Sequence, residues 1–336
     1  MASSWFLRLL VLALGALTAP VRGGNGLAPR RLRRDGMGSA VPGRLAIPAP
    51  GPLTARATAH DGTGFTFATA ANKGKDTTGN DHSCVLLLLL KSLNVTYPSA
   101  TVIVYDIGVD RRSPLDEGVL RAAFTGRLEL RVFDYDRYPA YVRVDQPSAG
   151  QYAWKPIIIK GVVDEFGSVL WMDSGNSVGW TKFGLEPNNV TDVFRRINEV
   201  GFYSPGSKGT MRDWTHPGML AEMMIDPSAS FLDEAPCNGA YIGFAKNAPA
   251  YKTVLVPWYE CALKKSCIGP QGSNRSNHRQ DQSALSLLAY KQGLGCFPLC
   301  VHNCGGVRIH NDGLRRAKMF CTAFQKRYAA GILGTR

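Results

Sequence analysis

The residues best suited to chemistry stand in the stretch GSVLWMDSGNSVG, from Gly167 to Gly179. An apolar run ends on one carboxylate, Asp173, and then turns into small polar residues. A carboxylate at a rigid strand end can help to hold a divalent cation that bridges two phosphates. The same stretch contains GNSVG, which fits the G-x-S-x-G pattern of a serine nucleophile, here Ser177. The elements around the stretch have to distinguish between these two chemistries.

A serine nucleophile of this type needs a helix directly behind its turn. GNSVG is instead followed by WTKFGLEPNN, in which a glycine and a proline disfavour a helix. Asp281 and His310 are available as partners, but a chain of 336 residues supplies such residues by chance. A hydrolase that uses Ser177 is therefore the less favoured alternative.

Strands and helices alternate along the chain beyond residue 64. FTFATAA, TVIVYDIG, LELRVFDY and SVLWMD are typical of strands, whereas HSCVLLLLLKSLN, PLDEGVLRAAF and YAWKPIIIKGVVDEFG are typical of helices. The alternation predicts an α/β fold with a mostly parallel sheet covered by helices on both faces. We expect Phe65–Ala70, Val102–Tyr105 and Val169–Met172 to be parallel strands of one sheet. Ligands bind beyond the carboxyl ends of such strands, where Asp106 and Asp173 should face a common cleft.

Three blocks of the sequence, in this order, resemble the nucleotide-sugar glycosyltransferases of the GT-A fold. YAWKPIIIKGVVDEFGSVLWMDSGN is similar to the element that leads into their D-x-D motif, CNGAYIGF to the short strand that follows, and NHRQDQSALSLL to a later helix start. The closest resemblance, over about residues 64–292, is to an uncharacterised eukaryotic group with a D-[AS]-G-N variant of that motif. It implies a GT-A-like, Rossmann-related fold. It also implies transfer of a sugar from a nucleotide-sugar donor to a glycan or glycoconjugate acceptor.

The resemblance assigns roles to individual residues. Asp173 and Asp281 are the implied catalytic residues. Asp173, Asn176 and His278 are the implied ligands of a divalent cation, Mn²⁺ or Mg²⁺. Donor and acceptor contacts are implied for Asp106, Lys155, Asn238, Gly239, Trp214 and His216. Turn formation, helix capping or simple exposure on a helix are the alternative interpretations of these residues.

The motif departs from the family at one important position. The usual second aspartate is Gly175 here, and Asn176 follows it. One carboxylate with one amide binds a divalent cation more weakly than two carboxylates do. A GT-A-like protein that binds glycans without turnover is therefore an alternative to an active enzyme.

The distribution of charge favours an anionic small molecule over nucleic acid as the partner. The formal net charge is +13, but residues 1–60 carry eight arginines against one acid, Asp35, which gives +7 and leaves +6 for the rest. No nucleic-acid-binding motif accompanies this charge, so we predict no nucleic-acid partner.

The N-terminal segment predicts a route into the secretory pathway. Residues 1–23 combine Arg8, a short apolar run and small residues, as a cleaved signal peptide does. Residues 24–60 are typical of a disordered basic stem rich in Pro and Gly, and residues 61–336 of a single domain. We expect a luminal (ER or Golgi), peripheral or secreted protein; an organelle transit peptide is the alternative. Three N-x-[ST] sequons fit secretion: Asn94, Asn189 and Asn274.

Eight cysteines point in the same direction. Six of them follow residue 260, and Cys296 begins a C-x3-C-x3-C run that encloses His302. This spacing differs from the usual C-x2-C of metal sites, so disulfides in an oxidising lumen are favoured over a metal. Cys261 and Cys267 are the expected close pair, because the helix that they flank can end between them. The other pairings cannot be read from the sequence.

Overall fold

The computed structural model describes residues 64–73, 82–179, 188–296, 298–300, 303–304, 306–310 and 315–332. All of them belong to one compact unit, Arg56–Arg336. The predicted signal segment and stem, residues 180–187 and His302 lie outside the described residues, and what was predicted for them stays a prediction.

The strands and helices agree well with the predicted alternation. The strands are β1 (Thr66–Ala71), β2 (Thr101–Asp106), β3 (Arg127–Val132), β4 (Ser168–Met172), β5 (Ser177–Val178), β6 (Phe202–Tyr203), β7 (Tyr241–Ala245), β8 (Asn303–Cys304) and β9 (Val307–Arg308). The helices are α1 (His82–Thr96), α2 (Glu117–Ala123), α3 (Pro147–Gly150), α4 (Trp154–Phe166), α5 (Asn188–Val200), α6 (Met211–Trp214), α7 (Pro217–Glu222), α8 (Val256–Ala262), α9 (Lys265–Ile268), α10 (Gln280–Lys291) and α11 (Arg315–Ala329). Among the helices of these ranges, none combines the length and the apolar character that a membrane span requires.

Six strands form the central sheet, in the order β3-β2-β1-β4-β7-β6. β1 pairs in parallel with β2 and with β4, and β2 pairs in parallel with β3. β7 runs antiparallel to both of its neighbours, β4 and β6. The predicted mixed α/β fold and the three predicted parallel strands are confirmed. The carboxyl ends of β2 and β4 therefore lie at one edge of the sheet.

Side chains of alternate strand residues enter two apolar cores, one on each face of the sheet. On β4, Val169 and Trp171 pack in the first core, which α4, α8 and α10 cover. Leu170 and Met172 pack in the second core with α1, α5 and α11. Because both faces are covered, strand ends are the natural places for polar groups to reach solvent.

Four disulfides connect all eight cysteines. The expected pair Cys261–Cys267 is present, and the chain turns between α8 and α9 as this bridge requires. The C-x3-C-x3-C run is divided: Cys300 pairs with Cys304, while the cysteine that begins it pairs with Cys237. A fourth bridge, Cys84–Cys321, joins α1 to α11. Disulfides rather than a metal site are thus the function of these cysteines, and they indicate an oxidising environment.

Candidate active site

A buried lysine lies at the centre of the candidate site. Lys155 belongs to the first turn of α4, and its side chain is only 4% exposed. Its Nζ donates a hydrogen bond to the main-chain oxygen of Gly239 at 2.8 Å. The same atom lies 3.0 Å from Asp173 Oδ1 and 3.4 Å from Asp281 Oδ2. An ammonium can be buried only where acceptors and opposite charges replace its water, and this cluster supplies both.

Asp173 is held at the carboxyl end of β4 by its own backbone and by a tryptophan. Its N–H donates to Ala240 O at 3.0 Å, and its carbonyl accepts from Asn176 N at 2.9 Å, which closes the turn. Trp171 Nε1 donates to Asp173 Oδ1 at 2.7 Å. The side chain keeps 31% of its surface exposed. Asp173 is therefore fixed in orientation while one side of its carboxylate faces solvent.

Asp281 is the more deeply buried carboxylate of the cluster. It lies in the first turn of α10, with its side chain 6% exposed. Trp258 Nε1 donates to its main-chain oxygen at 2.9 Å, which anchors this turn to α8. Its Oδ2 forms the ion pair with Lys155 but accepts no hydrogen bond. A buried carboxylate oxygen without a donor is costly, and a ligand hydroxyl is a group that would satisfy it.

The cluster shifts the pKa of two of its members. Burial raises the pKa of Asp281 above the usual carboxyl value; Lys155 opposes this effect, and the negative charge of Asp173 adds to it. For Lys155, burial alone would lower the pKa, but attraction to Asp173 and Asp281 raises it above the usual value. A carboxyl group with a raised pKa beside a fixed cation is suited to exchange a proton with a bound hydroxyl.

Aromatic rings surround the ammonium. The ring centres of Tyr152, Trp154 and Trp171 lie 5.8, 5.8 and 5.7 Å from Lys155 Nζ. Tyr152 ends a run of residues with positive φ, Ser148–Tyr152. Such backbone is unfavourable for residues other than glycine and is often found at functional sites. This run determines where the Tyr152 ring stands beside the site.

Each of the three sequence blocks contributes to the cluster. The first provides Lys155 and Asp173, the second provides the carbonyl of Gly239, and the third provides Asp281. Gly239 also stands directly beside the carboxylate, since a Cβ at this residue would lie 3.6 Å from Asp281 Oδ2. Segments more than a hundred residues apart thus converge at the carboxyl edge of the sheet.

Asp106 and Asn238, two of the predicted substrate contacts, form hydrogen bonds that stabilise the backbone. Asp106 is buried, and its two carboxylate oxygens accept from the N–H groups of Gly108 and Leu115, each at 2.8 Å. Asn238 is also buried, and its Oδ1 accepts from Ala240 N at 2.8 Å. Neither side chain is among the groups around Lys155. The alternative interpretation of both residues, turn formation, accounts for the bonds from Gly108 and Ala240, and the bond from Leu115 fixes the segment that follows β2.

Trp214 and His216 lie together beside the loop that precedes α10. The guanidinium of Arg279 stands 4.0 Å from the ring centre of Trp214. His216 Nδ1 accepts from Gly218 N at 3.0 Å and so caps α7. Both residues are half-buried. The Trp214 ring therefore has one stacking partner already, and His216 has a structural bond.

The residues present do not fit the predicted divalent cation. Both amide atoms of Asn176 are engaged, because Nδ2 donates to Ala240 O at 2.7 Å and Oδ1 accepts from His310 N at 3.2 Å. Both ring nitrogens of buried His278 are also engaged, with His216 N at 3.3 Å and Ile268 O at 3.2 Å. Within the described ranges, no three His, Cys, Asp or Glu side chains are grouped as a metal site requires. The ammonium of Lys155 is the cation that Asp173 contacts instead.

Ser177 does not have the setting of a nucleophile. It lies within strand β5, which pairs with β9, and it is 2% exposed. A nucleophile elbow would place the serine at an exposed, strained strand-to-helix turn. The hydrolase alternative therefore receives no support from the structure.

Two arginines near the site were missed at the sequence level. Arg279 belongs to the third block and Arg275 lies just before it, one on either side of His278. The available signal was two cations in one short loop, directly before the helix that carries Asp281.

Comparison with known proteins gives a likeness of fold only. No protein-family model matches the chain, and no curated protein sequence matches it. Mouse xyloside xylosyltransferase 1, in its apo form, is 10% identical with a TM-score of 0.44, covering 75% of this chain and 98% of that one. The galactosyltransferase LgtC, in complex with donor and acceptor sugar analogs, is 14% identical with a TM-score of 0.42, covering 81% and 97%. Likeness at these TM-scores is no evidence of activity.

Proposed function

We propose that this chain is a glycosyltransferase that moves a sugar from a nucleotide-sugar donor to a hydroxyl of a glycan or glycoconjugate in the secretory pathway. The observation that carries the proposal is the cluster of Lys155, Asp173 and Asp281 at the carboxyl edge of the sheet. The three sequence blocks that resemble GT-A enzymes meet there. Ligands of α/β sheets bind at this edge. The four disulfides are consistent with a luminal or secreted location.

In this proposal Asp281 is the general base. The acceptor hydroxyl donates to Asp281 Oδ2, the oxygen that lacks a donor. As the hydroxyl oxygen attacks the anomeric carbon, its proton moves to Asp281 and the bond from that carbon to the diphosphate breaks. The diphosphate leaves with the bonding electron pair. The raised pKa of Asp281 favours acceptance of the proton.

Lys155 and Asp173 position the reacting groups. Lys155 holds the two carboxylates and the Gly239 carbonyl in one arrangement, so the base does not depend on a mobile side chain. Asp173, which keeps one side exposed, is available to hydroxyls of the donor sugar. Gly239 lines the same space, because a side chain there would approach Asp281.

A glycan-binding protein without turnover is the second candidate. The observation in its favour is the lack of a second metal ligand beside Asp173, because the amide of Asn176 is hydrogen-bonded to backbone groups. The two candidates differ in their response to nucleotide sugars. A glycan-binding protein needs no donor, whereas the enzyme must bind one.

The test is a screen of UDP- and GDP-sugars by thermal stabilisation, followed by transfer assays with the donor that binds. We expect Asp281→Asn to keep donor binding but to lose about 100-fold or more in turnover, as removal of a general base does. The matched control is Asp192→Asn on α5, a partly exposed carboxylate on the opposite face of the sheet. Full turnover in Asp281→Asn would refute the assigned role. Glycan binding without any donor binding would favour the second candidate.

A further inference from the structure

The charge of the site is not balanced for a nucleotide sugar. Lys155 is already paired with two carboxylates, Asp173 and Asp281, so its positive charge is neutralised within the cluster. A diphosphate that enters and then departs with additional negative charge needs positive partners. The residues beside Asp173 do not fit a divalent cation. The positive charge has to come from elsewhere in the chain.

Arg275 and Arg279 lie close to the cluster. The guanidinium of Arg275 lies 5.2 Å from the centre of the Tyr152 ring, and Lys155 Nζ lies 5.8 Å from the same centre. Arg279 stacks on Trp214 at 4.0 Å. Within the part of the chain that the structure describes, neither arginine is within ion-pair distance of a carboxylate. By contrast, Arg131 is held by two glutamates.

The positive charges of the two arginines act on each other. Burial lowers the pKa of Arg279, and the positive charge of Arg275 lowers it further. Arg275 makes one long hydrogen bond, from Nη1 to Gln280 Oε1 at 3.4 Å. An anion between the two guanidiniums would remove their repulsion and satisfy their N–H groups.

The N-terminus of α10 lies at Arg279 itself, which is its N-cap residue. This helix is twelve residues long, and its N-cap residue, Arg279, makes no side-chain cap. Gln280, its first residue, is fully buried, and its Nε2 has no acceptor. A helix N-terminus carries partial positive charge and free N–H groups that suit a phosphate.

We propose that Arg275 and Arg279, together with the N-terminus of α10, bind the diphosphate of the nucleotide sugar and take the place of a divalent cation. The inference rests on the proposed function, since it concerns the donor of that same site. It implies that donor binding and departure of the nucleoside diphosphate need no metal. It also assigns two roles to the segment from Arg275 to Asp281: the base, Asp281, and the anion site directly before it.

The experiment measures binding of UDP, GDP, uridine and guanosine to the full disulfide-bonded protein by calorimetry, once with EDTA and once with Mn²⁺. We expect the wild type to bind one diphosphate in EDTA, at least tenfold more tightly than the matching nucleoside. Arg275→Ala and Arg279→Ala should each weaken diphosphate binding by about tenfold, the effect of losing one charge-assisted contact. Nucleoside affinity should stay unchanged in both variants. Arg279→Lys should be intermediate, because it keeps the charge but loses the planar fork.

The matched control is Arg121→Ala on α2, an exposed arginine on the opposite face of the sheet, which should bind as the wild type does. Arg275 is exposed, so Arg275→Ala carries the test even if Arg279→Ala fails to fold. Diphosphate binding that requires Mn²⁺, or that is equal in wild type and both alanine variants, would overturn the inference and leave the proposed function standing. Absence of binding to every nucleotide and nucleotide sugar would overturn both.

Discussion

One buried residue, His278, makes the stability of the folded protein depend on pH. His278 is fully buried in the loop before α10. Its Nδ1 accepts from His216 N, so the ring proton is on Nε2, facing Ile268 O. Burial lowers the pKa of His278 to about 4. A second proton would place an N–H against the N–H of His216, and the native state therefore holds this ring neutral.

The first prediction at this scale is a loss of stability in acid that depends on His278. In the unfolded chain its pKa is about 6.5, and in the folded protein it is about 4. The contribution of neutral His278 to the free energy of unfolding is complete above the pKa of the unfolded chain. It is lost as the pH falls through the pKa of the folded protein, a change of about 3 kcal/mol. Urea unfolding between pH 7.5 and 4 measures it. His278→Gln, which keeps a donor for Ile268 O, should show a flatter dependence; parallel curves would contradict the prediction.

At the scale of elements, close approach between α5 and β7 determines how the edge of the sheet packs. Gly243 lies on β7, and a Cβ there would stand 2.2 Å from Ile197 Cδ1 of α5. Ile197 is fully buried and branched at Cβ, so it has little freedom to move away. The glycine therefore lets α5 cover the antiparallel part of the sheet.

Gly243→Ala should lower the free energy of unfolding by about 1–3 kcal/mol, the usual cost of overpacking a core. Ile197→Ala alone should cost about 2–5 kcal/mol. The double variant should cost less than the sum, because the shorter side chain at 197 leaves room for the new methyl group. Chemical denaturation of the four proteins gives this coupling.

Gly161→Ala on α4 is the control for this cycle. Nothing lies within 4 Å of a Cβ at that exposed helix residue. The substitution should therefore stabilise the protein, by up to about 1 kcal/mol. Strict additivity in the Gly243 and Ile197 cycle would show that the two residues are not in contact.

At the scale of the whole molecule, disulfides connect distant parts of the chain. Cys84–Cys321 spans 237 residues and ties α11 to α1, whereas Cys261–Cys267 spans only 6. A bridge that closes a longer loop removes more conformational entropy from the unfolded chain. The position of α11 over the second core therefore depends on one covalent link as well as on apolar packing.

Replacing the long bridge should destabilise the protein more than replacing the short one. In the chain-entropy account, the pair Cys84→Ser and Cys321→Ser costs about 5 kcal/mol, and the pair Cys261→Ser and Cys267→Ser about 2 kcal/mol. Guanidinium unfolding of the two double variants, produced under oxidising conditions, measures the difference. An equal or reversed order would mean that packing around α11, rather than loop length, dominates.

The sequence by itself determined the elements and one end of the site. The alternation of strand-like and helix-like segments placed β1, β2, β4, α1 and α4, because periodicity is a local property. Asp173 at the end of β4 followed from the same pattern, as did a turn between Cys261 and Cys267. β6 was missed, since its two residues lie in a segment that reads as a loop and pair only with β7.

The tertiary structure decided which residues meet. Lys155 was implied as a donor contact, with exposure on a helix as the alternative. Only the packing of α4 on the sheet buries it between Asp173 and Asp281. Asp106 read as a ligand residue, but its bonds to Gly108 and Leu115 depend on the path of the following loop. The division of the Cys296–Cys304 run between two bridges had no local signal. In each case the contact joins residues that meet only when whole elements pack together. A local sequence pattern holds no information on the distance between such residues.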